Sequence, residues 1–118
     1  MRKPLLHQSF LNAFRGIFMM IKSERNFQLE VAAFLINLFL IFYLDLSTID
    51  TILILTVSSG VLAAEMFNTA IEKICDIIQP EFDPRIGFIK DIAAGAVLLM
   101  ALISVITGIL IYWKYIFH

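Results

Sequence analysis

Four polar side chains in the stretch AAEMFNTAIEKICD, residues 63–76, share one helical stripe: Glu65, Asn68, Glu72 and Asp76, spaced 3, 4 and 4 residues apart. They follow fourteen uncharged residues, Thr51 to Ala64, so the stripe begins where an apolar segment ends. Ionisable groups at the edge of a membrane span are expensive to keep there and mark function. A helix extension running out into water accounts for Asp76 and in part for Glu72, but not for Glu65. Two further acidic points lie at the edges of apolar segments: Glu24 and Glu30 in KSERNFQLE, and Asp91 beside Lys90 in IKDIAAGAV. An acid in the first turn of a helix is favoured by the macrodipole, and a lysine at a span end can snorkel to the surface. Neither effect explains why all three apolar segments bring carboxylates to one interface.

Carboxylates gathered around a lysine suit a magnesium-bound polyphosphate. Mg²⁺ is held by one or two carboxylates together with substrate phosphates. A lysine neutralises phosphate charge, and one more carboxylate can take the proton of a hydroxyl. The chain has neither G-x-x-x-x-G-K-[ST] nor G-x-G-x-x-G, so no nucleotide fingerprint accompanies the cluster. From the residues alone the reading is an interfacial carboxylate site with metal and phosphate chemistry. A small proton-coupled transporter working through these carboxylates, or a non-catalytic membrane assembly subunit, stays open beside it.

The elements that must position these groups follow from hydropathy. The chain has 118 residues, of which 60% are hydrophobic and 11 are Phe, with a mean hydropathy of +0.89. A soluble domain of that size cannot hide so much apolar surface, so the fold class is an all-α membrane protein of one domain, residues 1–118. Val31–Leu44 is uncharged, Leu46–Ala64 is broken only by Asp50, and Ile92–Trp113 runs 22 residues without a charge. Since a spanning helix needs about 20 mostly apolar residues, the spans are expected at about 27–44, 48–71 and 91–113.

Ahead of them, Phe10, Phe14, Ile17, Phe18 and Ile21 recur at helical spacing with Asn12, Arg15 and Lys22 on the other side. This predicts an amphipathic surface helix over about 9–22, with Ser9 as its N-cap. Pro80, Pro84 and Gly87 break the chain between Asp76 and Lys90. Gly60, Ala64 and the block Ala93–Ala96 supply small faces for close packing. Three helices bury little, so an oligomer is expected.

Arg2, Lys3, Arg15, Lys22 and Arg25 precede the first span, and Lys73, Arg85 and Lys90 lie between the second and third. The connection DLSTID has no basic residue. The positive-inside rule therefore puts the N-terminus and the 79–89 loop in the cytoplasm. Tyr112, Trp113 and Tyr115 read as an aromatic belt at the far interface. No cleavable signal peptide is expected in MRKPLLHQSF. A net charge of -1 argues against a nucleic-acid partner. Cys75 is the only cysteine, and His7 and His118 at opposite ends make no metal cluster.

The spaced pattern Glu-x-x-Asn-[Ser/Thr]-Ala-[Ile/Val]-Glu-x-x-x-Asp, present as EMFNTAIEKICD from Glu65, followed by KDIAAGAVL from Lys90, resembles the small prokaryotic integral-membrane diacylglycerol kinases and undecaprenol kinases. The stretch SERNF around Glu24, the length and the three-span layout match as well, from about Phe10 onward. The resemblance implies a homotrimer in the bacterial cytoplasmic (inner) membrane, multi-pass, with active sites shared between subunits. The implied reaction moves the ATP γ-phosphoryl group to the hydroxyl of a membrane lipid, diacylglycerol or undecaprenol.

Carried over, Glu65 is implied as the general base and Asn68 as the group that positions the reactants, both touching the lipid substrate. Glu24 and Glu72 are implied to hold Mg²⁺ on the ATP phosphates. Lys90, Asp91, Glu81 and Asp83 complete the implied nucleotide site. The chain departs from the pattern at Asp83-Pro84, where many members have His-Pro, at Gly87, where many have a second lysine, and at Leu5, where some have an arginine. The SERNF stretch leans toward the undecaprenol kinase branch.

Overall fold

The computed structural model describes residues 5–117. Arg2 and Lys3, counted above toward orientation, and His118 lie outside the described residues. Four helices follow in order: α1 Leu6–Ser23, α2 Arg25–Tyr43, α3 Thr48–Ile78 and α4 Pro84–Ile116. Among the described residues there is no strand. The last three helices are long and apolar enough to cross a membrane. The centre of the arrangement is α3, which packs against both α2 and α4, while α1 lies on α2.

Helix length decides what protrudes. At 1.5 Å per residue, the 19 residues of α2 are about 28 Å long, close to the hydrocarbon thickness of about 30 Å. The 31 residues of α3 and the 33 of α4 reach about 46 and 50 Å. Both therefore stand clear of the bilayer, and both exceed the spans expected from hydropathy. The excess on α3 lies at its C-terminal end, which carries Glu72 and Asp76; that of α4 lies largely before Asp91.

Each corner has a local cause. Between α1 and α2 only Glu24 is extended (φ -108°, ψ 113°). Its N–H still donates to Met20 O at 2.9 Å, and the Gln28 side chain donates to the free Ile21 carbonyl at 2.9 Å. After α2, Asp45 takes a left-handed conformation (φ 53°), which a short polar residue tolerates. The N–H groups of Leu46 and Asp45 then reach back to the carbonyls of Ile41 and Phe42, the Schellman pattern, and Leu46 packs with Ile41, Ile54 and Ile111 in one apolar cluster. Ser47 caps α3, its hydroxyl accepting from Asp50 N at 3.1 Å.

Several sequence expectations need correction. Ser9 is not the N-cap of α1: the helix starts at Leu6, and the Ser9 hydroxyl donates back to the Leu5 carbonyl at 3.4 Å. Pro84 and Gly87 do not break the chain. Pro84 opens α4, where its missing N–H and preset φ cost nothing, and Gly87 bonds normally to Asp83 O at 3.0 Å. The turn is confined to 79–83. Asp91 consequently sits two turns inside α4, so the macrodipole does not explain it. Tyr112 and Tyr115 are not free belt residues, because both hydroxyls turn inward to hydrogen bonds, whereas Trp113 is exposed.

Away from the acidic end, two polar networks cross-link the bundle. Midway along, Tyr112 OH donates to Asn37 Oδ1 at 2.7 Å and Asn37 Nδ2 donates to Ser58 Oγ at 2.9 Å, joining α4, α2 and α3. At the end near the α2–α3 turn, Tyr115 OH accepts from Ser47 N at 2.9 Å and donates to Asp50 at 2.7 Å, while Lys114 Nζ meets the same carboxylate at 3.1 Å. Small residues act as expected at two points. Gly60 leaves room for the Met100 side chain of α4, and Ala93 is buried. The rest of the AAGA block, Ala94 to Ala96, is exposed in the single chain.

Candidate active site at the acidic end of the bundle

Burial along the α3 stripe runs from inside to outside. Glu65 is 8% exposed, Asn68 is half-buried, and Glu72 and Asp76 are exposed. Glu65 has neither a hydrogen-bond nor an ion-pair partner among the described residues. The charged side chains around it, Glu30, Glu72 and Glu24, are all acids. Asn68 stretches its amide N–H toward Glu72 Oε1 at 3.4 Å, at the long limit of a hydrogen bond. Its Oδ1 is buried and unpartnered. An orphaned buried acceptor costs about 1–3 kcal/mol, so it is a place where an arriving donor such as a hydroxyl is favoured. One turn of helix thus presents a buried free carboxylate and a buried free carbonyl oxygen side by side.

Glu24 reaches this region from the α1–α2 corner and faces Lys73 of α3, 4.0 Å from its ammonium. Below that pair an open groove of about 260 Å³ runs between α1 and α3, lined by Gly16, Met19, Met20, Met66, Thr69 and Lys73. It is mostly apolar, with the charged pair at its rim.

No three His, Cys, Asp or Glu side chains among the described residues converge as a metal-binding group. The donors expected for a metal, the Glu24 and Glu72 carboxylates, are hard oxygens. They fit a cation such as Mg²⁺ that takes one or two carboxylates and fills its other positions from phosphates and water.

The remaining expected residues lie around the α3–α4 corner. Lys90 Nζ is 2.7 Å from Asp76 Oδ1, which gives Asp76 a partner rather than leaving it an ordinary helix end. Asp91, next in sequence, is exposed. Asp83 caps α4, accepting from Arg85 N at 2.8 Å and from the Arg85 guanidinium at 2.9 and 3.3 Å. Hydrogen bonds from Arg85 hold its carboxyl below the usual carboxylate range. Asp83 is therefore engaged within the loop, while Glu81, two residues earlier, is exposed.

Glu30 was visible as an acid in the first apolar segment but was not assigned to the site. Counting from the Asn37–Ser58 bond along the antiparallel α2 and α3 sets it level with Glu65. Asn37, an amide alone inside an apolar run, was the sequence signal for the mid-bundle network.

Residues 11–112 match the family of prokaryotic diacylglycerol kinases. The chain belongs to that family. The matched range takes in Glu24, Glu65, Asn68, Glu72, Lys90 and Asp91. The undecaprenol kinase of Bacillus subtilis (strain 168) is 41% identical over 105 residues, covering 89% of this chain and 85% of that protein. The diacylglycerol kinase of Escherichia coli (strain K12) is 30% identical over 93 residues, covering 79% of this chain and 76% of that one. A diacylglycerol kinase of Synechocystis is 31% identical over 106 residues, covering 89% of this chain and 61% of that one.

As a member of the prokaryotic diacylglycerol kinase family the chain is an integral-membrane lipid kinase. Membership sets aside both the transporter and the non-catalytic subunit. A lipid kinase needs a site that a membrane alcohol can reach from the bilayer and a phosphate donor from water. The inside-to-outside gradient from Glu65 to Asp76 has that form.

Proposed function

We propose that this lipid kinase transfers the γ-phosphoryl group of ATP to the hydroxyl of a polyprenol of the undecaprenol type, with diacylglycerol as the second reading. The higher identity to the protein named undecaprenol kinase, 41% against 30%, favours the first, and the family description favours the second. The observation that carries the chemistry is Glu65, a buried carboxylate without a partner, one turn from an unpartnered buried carbonyl oxygen of Asn68.

In this reading the lipid hydroxyl lies against Asn68 Oδ1 and Glu65. The hydroxyl oxygen bonds to the γ-phosphorus as the bond from that phosphorus to the bridging oxygen of ADP breaks. The hydroxyl proton passes to the Glu65 carboxylate. A positioned base of this kind contributes about 10²–10⁴-fold. Glu24 and Glu72 would hold Mg²⁺, which when bound would neutralise charge on the transferring phosphates. Lys90 supplies positive charge to the polyphosphate, and Asp91 and Glu81 border the nucleotide. Asp83, already paired with Arg85, contributes by keeping the α3–α4 corner in shape.

We further propose that the N-terminus and the acidic end face the cytoplasm of a bacterial inner membrane. Arg15, Lys22, Arg25, Lys73, Arg85 and Lys90 all belong to that end of the helices. The opposite end offers Lys114, whose charge is offset by Asp50. A homotrimer with sites completed between subunits is the assembly that suits a chain whose longest apolar helix buries only Ala93 and Ile111.

The test is a side-by-side acceptor assay with purified protein in lipid or detergent. Labelled phosphate from ATP is expected to appear on undecaprenol faster than on diacylglycerol, and only with Mg²⁺ present. A well-folded sample that labels neither lipid overturns the proposal.

A further inference from the structure

We infer that Asn37, held by Tyr112 and bonded to Ser58, is a positioning residue that sets α2 and α3 in the register where Glu30 faces Glu65. The inference rests on the lipid kinase reading with Glu65 as base, and extends it to residues far from the reacting atoms.

The geometry is internal to the two helices. Asn37 on α2 and Ser58 on α3 are hydrogen-bonded at 2.9 Å. Counting outward from that pair along the antiparallel helices, Ile41 comes level with Ile54, and both belong to one buried cluster. Phe34 comes level with Val61, and both line one narrow crevice. Glu30 comes level with Glu65 by the same count from the Asn37–Ser58 bond. Each acid lies seven residues from its end of the Asn37–Ser58 bond, a step of two turns that returns to nearly the same face of a helix. Fixing the bond therefore fixes the acid pair about 10 Å away.

Nothing else between these helices is as directional. The buried side chains of α2 are Phe27 and Ile41, and those of α3 include the aliphatic Ile54 and Val61. Aliphatic contacts within a bilayer lack a hydrophobic driving force and tolerate sliding. A single buried amide is the kind of group that selects one register among several apolar alternatives.

Asn37 is also fixed from its other side. Both of its amide atoms are used, since Oδ1 accepts from Tyr112 OH at 2.7 Å while Nδ2 serves Ser58. α2 and α4 each pack on α3 and little on each other. An open groove of about 550 Å³, bordered by Glu30, Asn37, Ser104 and Tyr112, lies between them. Tyr112 is the strut across that groove, and it orients the amide so that its N–H points at Ser58.

The consequence is a test that separates positioning from folding. Asn37→Leu and Ser58→Ala are expected to lower kcat about tenfold or more, within the roughly 10²-fold that a misplacement near 1 Å can cost, while KM for ATP stays within about twofold because the nucleotide groups lie elsewhere. The double variant should be no slower than Asn37→Leu alone. Ser58→Thr, which keeps the hydroxyl, should recover most of the loss, and Tyr112→Phe should fall between.

A register readout that needs no turnover accompanies the kinetics: disulfide formation between Phe34→Cys and Val61→Cys in a Cys75→Ala background. Adding Asn37→Leu should lower the yield at least threefold. Unchanged kcat in both Asn37→Leu and Ser58→Ala overturns the inference, as does an unchanged cross-linking yield. If the unsubstituted protein labels neither lipid, the kinase reading fails, and the cross-link still decides whether Asn37 sets the register.

Discussion

Lys90 of α4 sits 2.7 Å from Asp76 of α3, closing the acidic end of the bundle with an ion pair whose two side chains are both well exposed, 37% and 64%. Hydrogen bonding to Asp76 and the resulting attraction keep the ammonium charged. A pair this wet contributes at most about 1 kcal/mol to stability. Its lysine is therefore available to a stronger partner, and polyphosphate is such a partner.

The two members of the pair should thus respond differently to substitution. Asp76→Asn is expected to leave turnover within about twofold and thermal stability within about 1 kcal/mol, since only an exposed ion pair is lost. Lys90→Met should raise KM for ATP about tenfold or more, because a charge-assisted contact to phosphate goes with it. Steady-state kinetics at varied ATP, with the melting temperature recorded in the same detergent, distinguish the two. Equal effects of the two substitutions on KM would mean that Lys90 acts only through Asp76.

Glu65→Gln should lower kcat by at least about 10²-fold while leaving the oligomer and the ATP affinity intact, because it removes the base and keeps the shape. Asn68→Leu removes the unpartnered carbonyl oxygen instead. It should raise KM for the lipid, since that oxygen is assigned to the hydroxyl in the ground state, and lower kcat, since the hydroxyl is then no longer positioned for transfer. Acceptor titrations at saturating ATP measure both. A Glu65→Gln enzyme at the unsubstituted rate would remove Glu65 from the chemistry.

Glu24 and Glu72 carry the metal assignment. Conversion of either to Gln should raise the Mg²⁺ concentration needed for half-maximal rate several-fold, with partial recovery in excess Mg²⁺, because Mg²⁺ depends on few protein carboxylates and each counts. Glu24 also faces Lys73 at 4.0 Å, so Lys73→Met serves as the control for the ion pair: it should leave the metal requirement where it was. An unchanged Mg²⁺ dependence in both carboxylate variants counts against ligation.

How much of this was legible in the chain differs by the range of the interaction involved. The three spans and the Glu65–Asn68–Glu72 stripe follow from run length and from 3–4 spacing, which are local properties of a helix. The boundaries were less visible. Pro84 reads as a breaker in isolation, but with Asp83 before it as cap it opens a helix. Hydropathy likewise fades where α3 leaves the bilayer although the helix runs on to Ile78.

The long-range pairings were not visible at all. Tyr112 and Asn37 are 75 residues apart, and Tyr115 and Asp50 are 65 apart. Either tyrosine fits an interfacial belt until the register of α4 against its neighbours is known. Glu30 belongs to the same class. It was seen as an acid near a span end, and only the antiparallel setting of α2 on α3 brings it to Glu65.

The network at the far end of the bundle gives the last prediction. In a capping box the third residue of the helix returns a carboxylate to the N-cap N–H. Here Asp50 occupies that position, but Tyr115 of α4 is interposed, accepting from Ser47 N and donating to Asp50. Tyr115→Phe therefore removes two hydrogen bonds at once, leaving the Ser47 N–H without its partner and Asp50 Oδ2 held by Lys114 alone, a loss of about 1–3 kcal/mol. Lys114→Met removes a side chain that is 59% exposed, so its cost is at most about 1 kcal/mol. The expected order of melting temperatures is unsubstituted, then Lys114→Met, then Tyr115→Phe. Turnover of the folded fraction should be unchanged in both, because Asp50 lies fifteen residues, about 22 Å, from Glu65 along α3. A Lys114→Met protein less stable than Tyr115→Phe would show that the ion pair, and not the bridged cap, holds that end together.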